Sequence, residues 1–353
     1  MGENGRNASL RSVGSGLRIG SVLLLINPKS LTPLQARLHA ASLGSHVEDA
    51  LPDADITIVE SESLAHAVET VAEFGERVVG ENVAGESLVI LYGGDGFIGA
   101  MAHHVRMTGA LLLPLSGGRG NDIVRWFGLG MSPEKALRRL GASGYREIGV
   151  DVPRVTCGDG SVHHFLSTCT IGFEGAALHH AEVLGERGVR LGRWSYVAGG
   201  IRAVLHRTSP RFRVSMRAAS TRLGRLSTAE DGSQGPDRSR AFHGWVATVC
   251  NTGVYGGGLW TCPGADAGDG ALDVLTIGEI GIPRALQWFA GALARVRPMI
   301  RGVDQTRTRT VRIDADPRDV PETRVWADGE PLGPLPAHVE VEEDLPQLRL
   351  LVP

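Results

Sequence analysis

Between Ser21 and Pro114 the chain alternates short strand-like runs with stretches of helical spacing, and this alternation constrains the fold more than anything else in the sequence. Ser21-Val22-Leu23-Leu24-Leu25-Ile26 stops at Asn27-Pro28. Asp55–Val59, Ser87–Tyr92 and Ala110–Pro114 follow, separated by helical stretches over 33–50, over 64–79 and through Met101 and His104. Apolar runs that end in turn residues are buried strands. Strands that alternate with helices at this pace form a parallel sheet with crossover helices.

After about Ile148 the pattern becomes one of short strands divided by turns: Pro153–Thr156, His164–Ser167, Arg211–Val214, Trp245–Val249 and Leu272–Leu275. This is the texture of an antiparallel sandwich. The stretch 217–241 is polar and reads as a flexible insertion. The expected organisation is a disordered tail over 1–18, an α/β domain over 19–148 and an all-β sandwich domain over 149–353. An apolar fraction of 42% suffices to fill two cores, and a net charge of -3 argues against nucleic acid as a partner. Cys157, Cys169, Cys250 and Cys262 form no C-x-x-C pair and read as small hydrophobes. With no run long enough to span a bilayer and no apolar signal core at the start, the expectation is a reduced, cytoplasmic protein.

Two glycine turns fall just past strand ends, where parallel sheets bind ligands. The first is Gly93-Gly94-Asp95-Gly96 and the second Ser116-Gly117-Gly118-Arg119-Gly120-Asn121-Asp122. Glycines let backbone N–H groups approach phosphate closely, and a helix N-terminus adds its dipole. Asp95 accepts a ribose hydroxyl or helps hold magnesium on this reading, and Arg119 bridges phosphate oxygens. Neither turn matches G-x-x-x-x-G-K-[ST] or G-x-G-x-x-G, which excludes a P-loop and a dinucleotide fingerprint. Further carboxylates follow in Pro263-Gly264-Ala265-Asp266-Ala267-Gly268-Asp269-Gly270-Ala271-Leu272-Asp273 and in Ala327-Asp328-Gly329-Glu330, although Asp-Gly also makes ordinary hairpin turns.

Taken in order, Asn27-Pro28-Lys29-Ser30, Gly93–Gly96, Gly118–Asp122, Ile171-Gly172-Phe173-Glu174, the glycines 256–258, Asp269–Val274 and Asp328–Glu330 resemble the diacylglycerol kinase catalytic family, with its bacterial lipid kinases and sphingosine kinases. The resemblance runs from Leu23 to Pro353 and implies an NAD-kinase-like fold: an α/β nucleotide domain, a β-sandwich and ATP in the cleft between them. It implies that Asn27, Pro28, Lys29, Ser30, Ser61, Gly93, Gly94, Asp95, Gly96, Gly118, Arg119, Gly120, Asn121 and Asp122 bind ATP. Asp266, Asp269 and the Ala271 carbonyl take the family's structural Mg2+ position, and Asp328 and Glu330 supply the acceptor for the substrate hydroxyl's proton. Phosphoryl transfer to an alcohol needs those parts: charge neutralisation, positioning and a carboxylate base.

The sequence departs from the family at Phe97-Ile98-Gly99-Ala100 where threonine and Asn-Glu are usual, at Ser30-Leu31, at Arg119 and at Ser167. Three functions stay open: a kinase of diacylglycerol, a sphingoid base or a related amphiphile; a kinase of a soluble alcohol; and a pseudokinase that binds nucleotide or lipid without turnover. The first implies transient contact with a membrane surface, and a homodimer is left open. The basic run Arg301, Arg307, Arg309 and Arg312 meets anionic headgroups or is a solvated strand face; Trp194, Tyr196 and Ile201 border an acyl-chain pocket or pack in a core. The adjacent histidines 103–104, 163–164 and 179–180 point to different faces and make no metal site unaided.

Overall fold

A computed structural model of the chain describes residues 18–27, 33–81, 85–118, 120–142, 144–172, 211–217, 220–221, 238–296, 300–315 and 324–353. They divide into two compact units, one ending at Val152 but taking in Asp344–Pro353, the other Pro153–Glu343. The first unit runs β1 (Ile19–Ile26), α1 (Pro33–Ala50), β2 (Asp55–Glu60), α2 (Leu64–Glu81), β3 (Glu86–Gly93), α3 (Asp95–Thr108), β4 (Leu111–Ser116), α4 (Asp122–Trp126), α5 (Pro133–Gly141) and β5 (Arg146–Val150), and closes with β20 (Leu348–Val352). Its sheet has the order β2-β1-β3-β4-β20-β5, parallel except for β5. Val22–Ile26, Leu88–Leu91 and Leu111–Leu113 have no accessible surface. Strands buried on both faces need unbroken apolar runs, and the sequence supplies them.

The last strand departs from the sequence expectation. Residues 149–353 read as one sandwich domain, yet Leu348, Leu350 and Leu351 are fully buried between β4 and β5. Arg349 fastens the strand by donating to Glu86 (2.8 Å) and Glu147 (2.7 Å) on the strands around it. Without β20, the apolar β4 would be a bare edge.

The second unit is antiparallel. It comprises β6 (Arg154–Thr156), β7 (Val162–His164), β8 (Thr168–Gly172), β9 (Arg211–Arg217), β10 (Ser220–Thr221), β11 (Arg238–Cys250), β12 (Val254–Tyr255), β13 (Leu259–Trp260), β14 (Leu272–Gly278), α6 (Ile282–Ala294), β15 (Val303–Thr308), β16 (Thr310–Ala315), β17 (Arg324–Ala327), β18 (Glu330–Pro334) and β19 (Ala337–Glu340). Alternate residues of β8, β11 and β14, among them Cys169, Ile171, Ala247, Val249 and Val274, join Phe165, Phe212, Val311, Ile313 and Val325 in the sandwich core. Their other face carries Val246, Leu275 and Ile277 against Ala285, with Trp288 and Phe289 of α6 packed on it.

Two further expectations change. The run His164–Ser167 is not a strand: β7 stops at His164 and β8 starts at Thr168, with a bend between. Residues 217–241 were read as an insertion, but Arg217, Ser220–Thr221 and Arg238–Ala241 lie in strands β9, β10 and β11. The rest of that stretch, the tail 1–17, and the segment holding His179, His180, Trp194, Tyr196 and Ile201 lie outside the described residues.

Candidate active site

Helix connections turn both ways from the first sheet, since β2 lies on one side of β1 and β3 on the other. Ligands of open α/β sheets bind at such a reversal, beyond the strands' C-terminal ends. Asn27 ends β1 there, its N–H donating to Tyr92 O (2.9 Å). Ser61 ends β2 buried, its N–H and Oγ both donating to Ile26 O. The two glycine turns leave β3 and β4 side by side, because Gly93 pairs with Ser116 in the parallel ladder.

The turns touch through backbone. The Gly117 N–H donates to Gly93 O at 2.8 Å. A Cβ on Gly118 would lie 2.6 Å from Gly94 Cα, and one on Gly117 2.9 Å from Gly93 N, so any side chain there would force the loops apart. Asn121, held at φ +54°, accepts the Gly118 N–H through Oδ1 (2.9 Å) and returns Nδ2 to Gly118 O (2.7 Å). Arg125 donates Nε to Gly120 O at 3.0 Å. Asp122 is buried where α4 begins.

Asp95 links the loops. Its Oδ1 accepts the Ile123 N–H at 3.0 Å, and a Cβ on Gly120 would sit 3.0 Å from Oδ2. Burial pushes its pKa up, against the pull of the amides of Ile123, Asp122 and Asn121 and the charge of Arg125. The sequence reading gave this carboxylate to a ribose or a metal; here it braces the second glycine turn from the first. Pro28, Lys29, Ser30 and Arg119 lie outside the described residues.

In the second unit, Asp328 is buried at φ +48° between β17 and β18. Its Oδ2 accepts the Leu166 N–H (2.7 Å), and Oδ1 accepts those of Ser167 and Thr168 (2.9 Å each). That capture of three consecutive amides is why 165–167 bend out of the ladder. Ser167 Oγ then meets Thr252 Oγ1 at 2.6 Å, and Asn251 Nδ2 donates to Leu166 O at 2.9 Å. Glu330, two residues on, is exposed. The Asp-Gly-Glu therefore divides into a carboxylate spent on backbone and one facing water.

Behind β8 lies an apolar pocket of about 70 Å3, far more than one water needs. Its wall includes Trp245, Tyr255, Leu259, Ile277, Trp288 and Phe289. Two of its polar residues, Thr170 and Thr248, satisfy each other at 2.7 Å. In backbone terms the exposed carboxylate is two strands from β8: Cys169, next to Thr170, pairs with Ala327, which pairs with Glu330. Two strand spacings amount to about 10 Å.

Comparison with known proteins agrees with the α/β and β-sandwich architecture. The diacylglycerol kinase catalytic domain model matches residues 21–152, and the YegS C-terminal NAD kinase beta sandwich-like domain model matches 168–351. The chain belongs to the diacylglycerol kinase family. Diacylglycerol kinases from two Mycobacterium tuberculosis strains, CDC 1551 and H37Rv, are each 28% identical over 259 residues, covering 72% of this chain and 74% of the relative. A crystal structure of a diacylglycerol kinase from Bacillus anthracis str. Sterne shares the fold at a TM-score of 0.63 and 19% identity, over 95% of this chain and 98% of that one. The protein is accordingly a kinase, a phosphotransferase of this family with an α/β domain and a β-sandwich.

The family's structural magnesium does not fit these side chains. Arg307 on β15 places Nη2 2.5 Å from Asp269 Oδ2, and Oδ1 of the same carboxylate accepts the Ala271 N–H at 3.2 Å. Asp266 Oδ1 accepts the Gly268 N–H at 3.1 Å. A hard dication needs several oxygens free to converge; here a guanidinium already pairs with Asp269, and one oxygen of each carboxylate accepts a backbone N–H. Of the sequence's basic run, Arg307 thus has an internal partner, Arg309 pairs with Glu343, and Arg312 and Arg301 are exposed. The pocket-lining residues and α6 went unread in the sequence, although Trp288-Phe289 within an apolar helix was a visible signal.

Proposed function

We propose that this kinase transfers the γ-phosphoryl group of ATP, taken up as its magnesium complex, to a hydroxyl of diacylglycerol, a sphingoid base or a related amphiphile. The apolar pocket carries this reading over that of a soluble alcohol kinase. Its aromatic and aliphatic wall offers an acyl chain contact area and offers a small polar alcohol nothing. The family and its M. tuberculosis relatives support the same acceptor class.

Each unit has a share of the work. The backbone-to-backbone glycine turns of the first unit, braced by Asp95 and Asn121, offer N–H groups to phosphate oxygens at strand C-termini. In the second unit Glu330 takes the hydroxyl proton as the alkoxide oxygen bonds to the γ-phosphorus. The bond from that phosphorus to the bridging oxygen breaks, and ADP leaves with the electron pair. Asp328 sets the 166–168 turn and stands apart from the proton transfer. Such a base contributes about 10²–10⁴-fold.

The test is transfer of label from γ-labelled ATP to a panel of lipids in micelles and of soluble alcohols, with Glu330→Gln as control. Label in the organic phase that the substitution abolishes is expected. Label confined to aqueous acceptors would reject the lipid acceptor, and bound ATP without transfer to any acceptor would make the chain a pseudokinase.

A further inference from the structure

Of the thirteen residues of α6, only Arg284 and Gln287 are strongly polar. A helix apolar on all sides belongs in a core or against lipid. One side of α6 meets the first condition: Ala285 and Ala292 are buried, and Ala285, Trp288 and Phe289 wall the apolar pocket. The adjoining side meets neither while the protein is in water. Ile282, Leu286 and Leu293, spaced four and seven residues apart, form one stripe and are 36%, 42% and 43% exposed. Val296, just beyond the helix, is 62% exposed. Among the described residues, four of the ten large hydrophobic side chains with this degree of exposure therefore cluster on α6 and its C-terminal turn.

Two observations specify what covers the stripe. The sequence 279–301 carries Arg284, Arg295, Arg297 and Arg301 against the single acid Glu279, a balance that favours an anionic surface. The stripe is also continuous, through Phe289, with the pocket assigned above to the acyl chain. At thirteen residues α6 is about 20 Å long, too short to cross a hydrocarbon core of about 30 Å, and no described helix is long and apolar enough to cross a membrane. It has the length and composition to lie in the plane of the interface, with its apolar side sunk among the acyl chains.

We infer that α6 is the membrane-docking element of this protein: Ile282, Leu286, Leu293 and Val296 insert into the headgroup boundary of an anionic bilayer while the flanking arginines meet its phosphates. Docking there sets the pocket wall against the lipid, so an acceptor reaches the pocket without crossing water. The inference rests on the lipid-acceptor reading for its purpose, but not for its test.

Full-length protein is sedimented with vesicles of phosphatidylcholine containing phosphatidylglycerol, and with vesicles of phosphatidylcholine alone. Binding is expected to be stronger to the anionic vesicles, each arginine at the surface contributing about five-fold. The double substitution Leu286→Glu with Leu293→Glu is expected to weaken binding at least ten-fold. Both sites are exposed, so melting temperature should hold, and so should phosphoryl transfer to a short-chain diacylglycerol kept monomeric. Undiminished vesicle binding by the double variant would overturn the inference. So would a wild-type dimer that the substitutions dissociate without loss of vesicle binding, since a second copy would then cover the stripe. Vesicle binding lost in the variant, with no transfer to any lipid by the wild type, would reject the proposed acceptor and leave the docking surface standing. Lipid phosphorylation by a wild type that binds no vesicles would do the reverse.

Discussion

Replacing Asp328 with asparagine separates an anchoring carboxylate from a chemical one. The native side chain accepts three backbone N–H groups at 2.7, 2.9 and 2.9 Å and is only 8% exposed. Asparagine keeps one oxygen, enough for the Ser167 and Thr168 amides, but turns an NH2 toward the Leu166 N–H. Two donors then face each other where a charge-assisted bond stood, and a buried N–H is left unmatched. The lost bond is worth about 1.5–3 kcal/mol and the orphaned donor about 1–3, with overlap between the two. A net loss of about 2–4 kcal/mol follows. Backbone strain adds little, because asparagine tolerates the left-handed region occupied at φ +48°. For a folding unit of this size each kcal/mol moves the melting temperature by about 2–4 °C, so a fall of roughly 4–16 °C is expected by calorimetry. Glu330→Gln, at an exposed position, should stay within about 0.5 kcal/mol of wild type while transfer falls by about 10²–10⁴-fold. Asp328→Asn that melts like the wild type but has lost turnover would refute the division of labour, and would make Asp328 the base.

Three shorter predictions bear on other parts of the molecule. Chelation of divalent metal should leave the wild-type melting temperature unchanged, because Arg307 already neutralises Asp269; in Arg307→Ala, millimolar magnesium should raise it, and a fall on chelating the wild type would contradict the assignment. Gly118→Ala sets a methyl 2.6 Å from Gly94 Cα and should raise KM for ATP at least ten-fold with a smaller change in kcat, as steady-state kinetics will report. Tyr145, whose hydroxyl donates to Ala136 O at 3.0 Å, has its pKa pushed up to about 12 by burial, with nearby Arg139 pulling the other way. Its pKa is raised on folding, so the stability it lends is complete below the ordinary tyrosine value of 10 and fades as pH rises through 12. A tyrosinate absorbance titration of wild type against Tyr145→Phe should show the tyrosine that ionises near 12 missing from the variant.

Local chemistry made the first sheet readable. Val22–Ile26 and Leu88–Leu91 are long apolar runs because both faces are covered, and Gly93–Gly96 and Gly117–Gly118 follow strands because the two turns press backbone on backbone. The resemblance left the proton acceptor to Asp328 or Glu330, and of the two Glu330 is the exposed one. What stayed hidden depends on partners far away in the chain. Leu348–Val352 has the composition of a sandwich strand, and nothing within it says that β4 and β5, some two hundred residues earlier, leave a gap for it. His164–Ser167 reads as a short strand, and only Asp328, some 160 residues later, takes the amides of Leu166, Ser167 and Thr168 and bends the run.

The acid residues show the limit most sharply, because a motif records which groups are present and not what already holds them. Asp95, Asp269 and Asp328 read alike in sequence, each beside a glycine, each a candidate for metal or proton. In the fold Asp95 accepts from Ile123, Asp269 meets Arg307, and Asp328 is taken by the amides of 166–168. A carboxylate held in this way fixes loops. Glu330 differs in lying exposed beside a turn its neighbour has made rigid, and a base needs both conditions: access to the substrate hydroxyl and a backbone that does not yield. On the proposed reading, the carboxylates that look catalytic by motif are therefore largely the framework that leaves Glu330 available to catalyse.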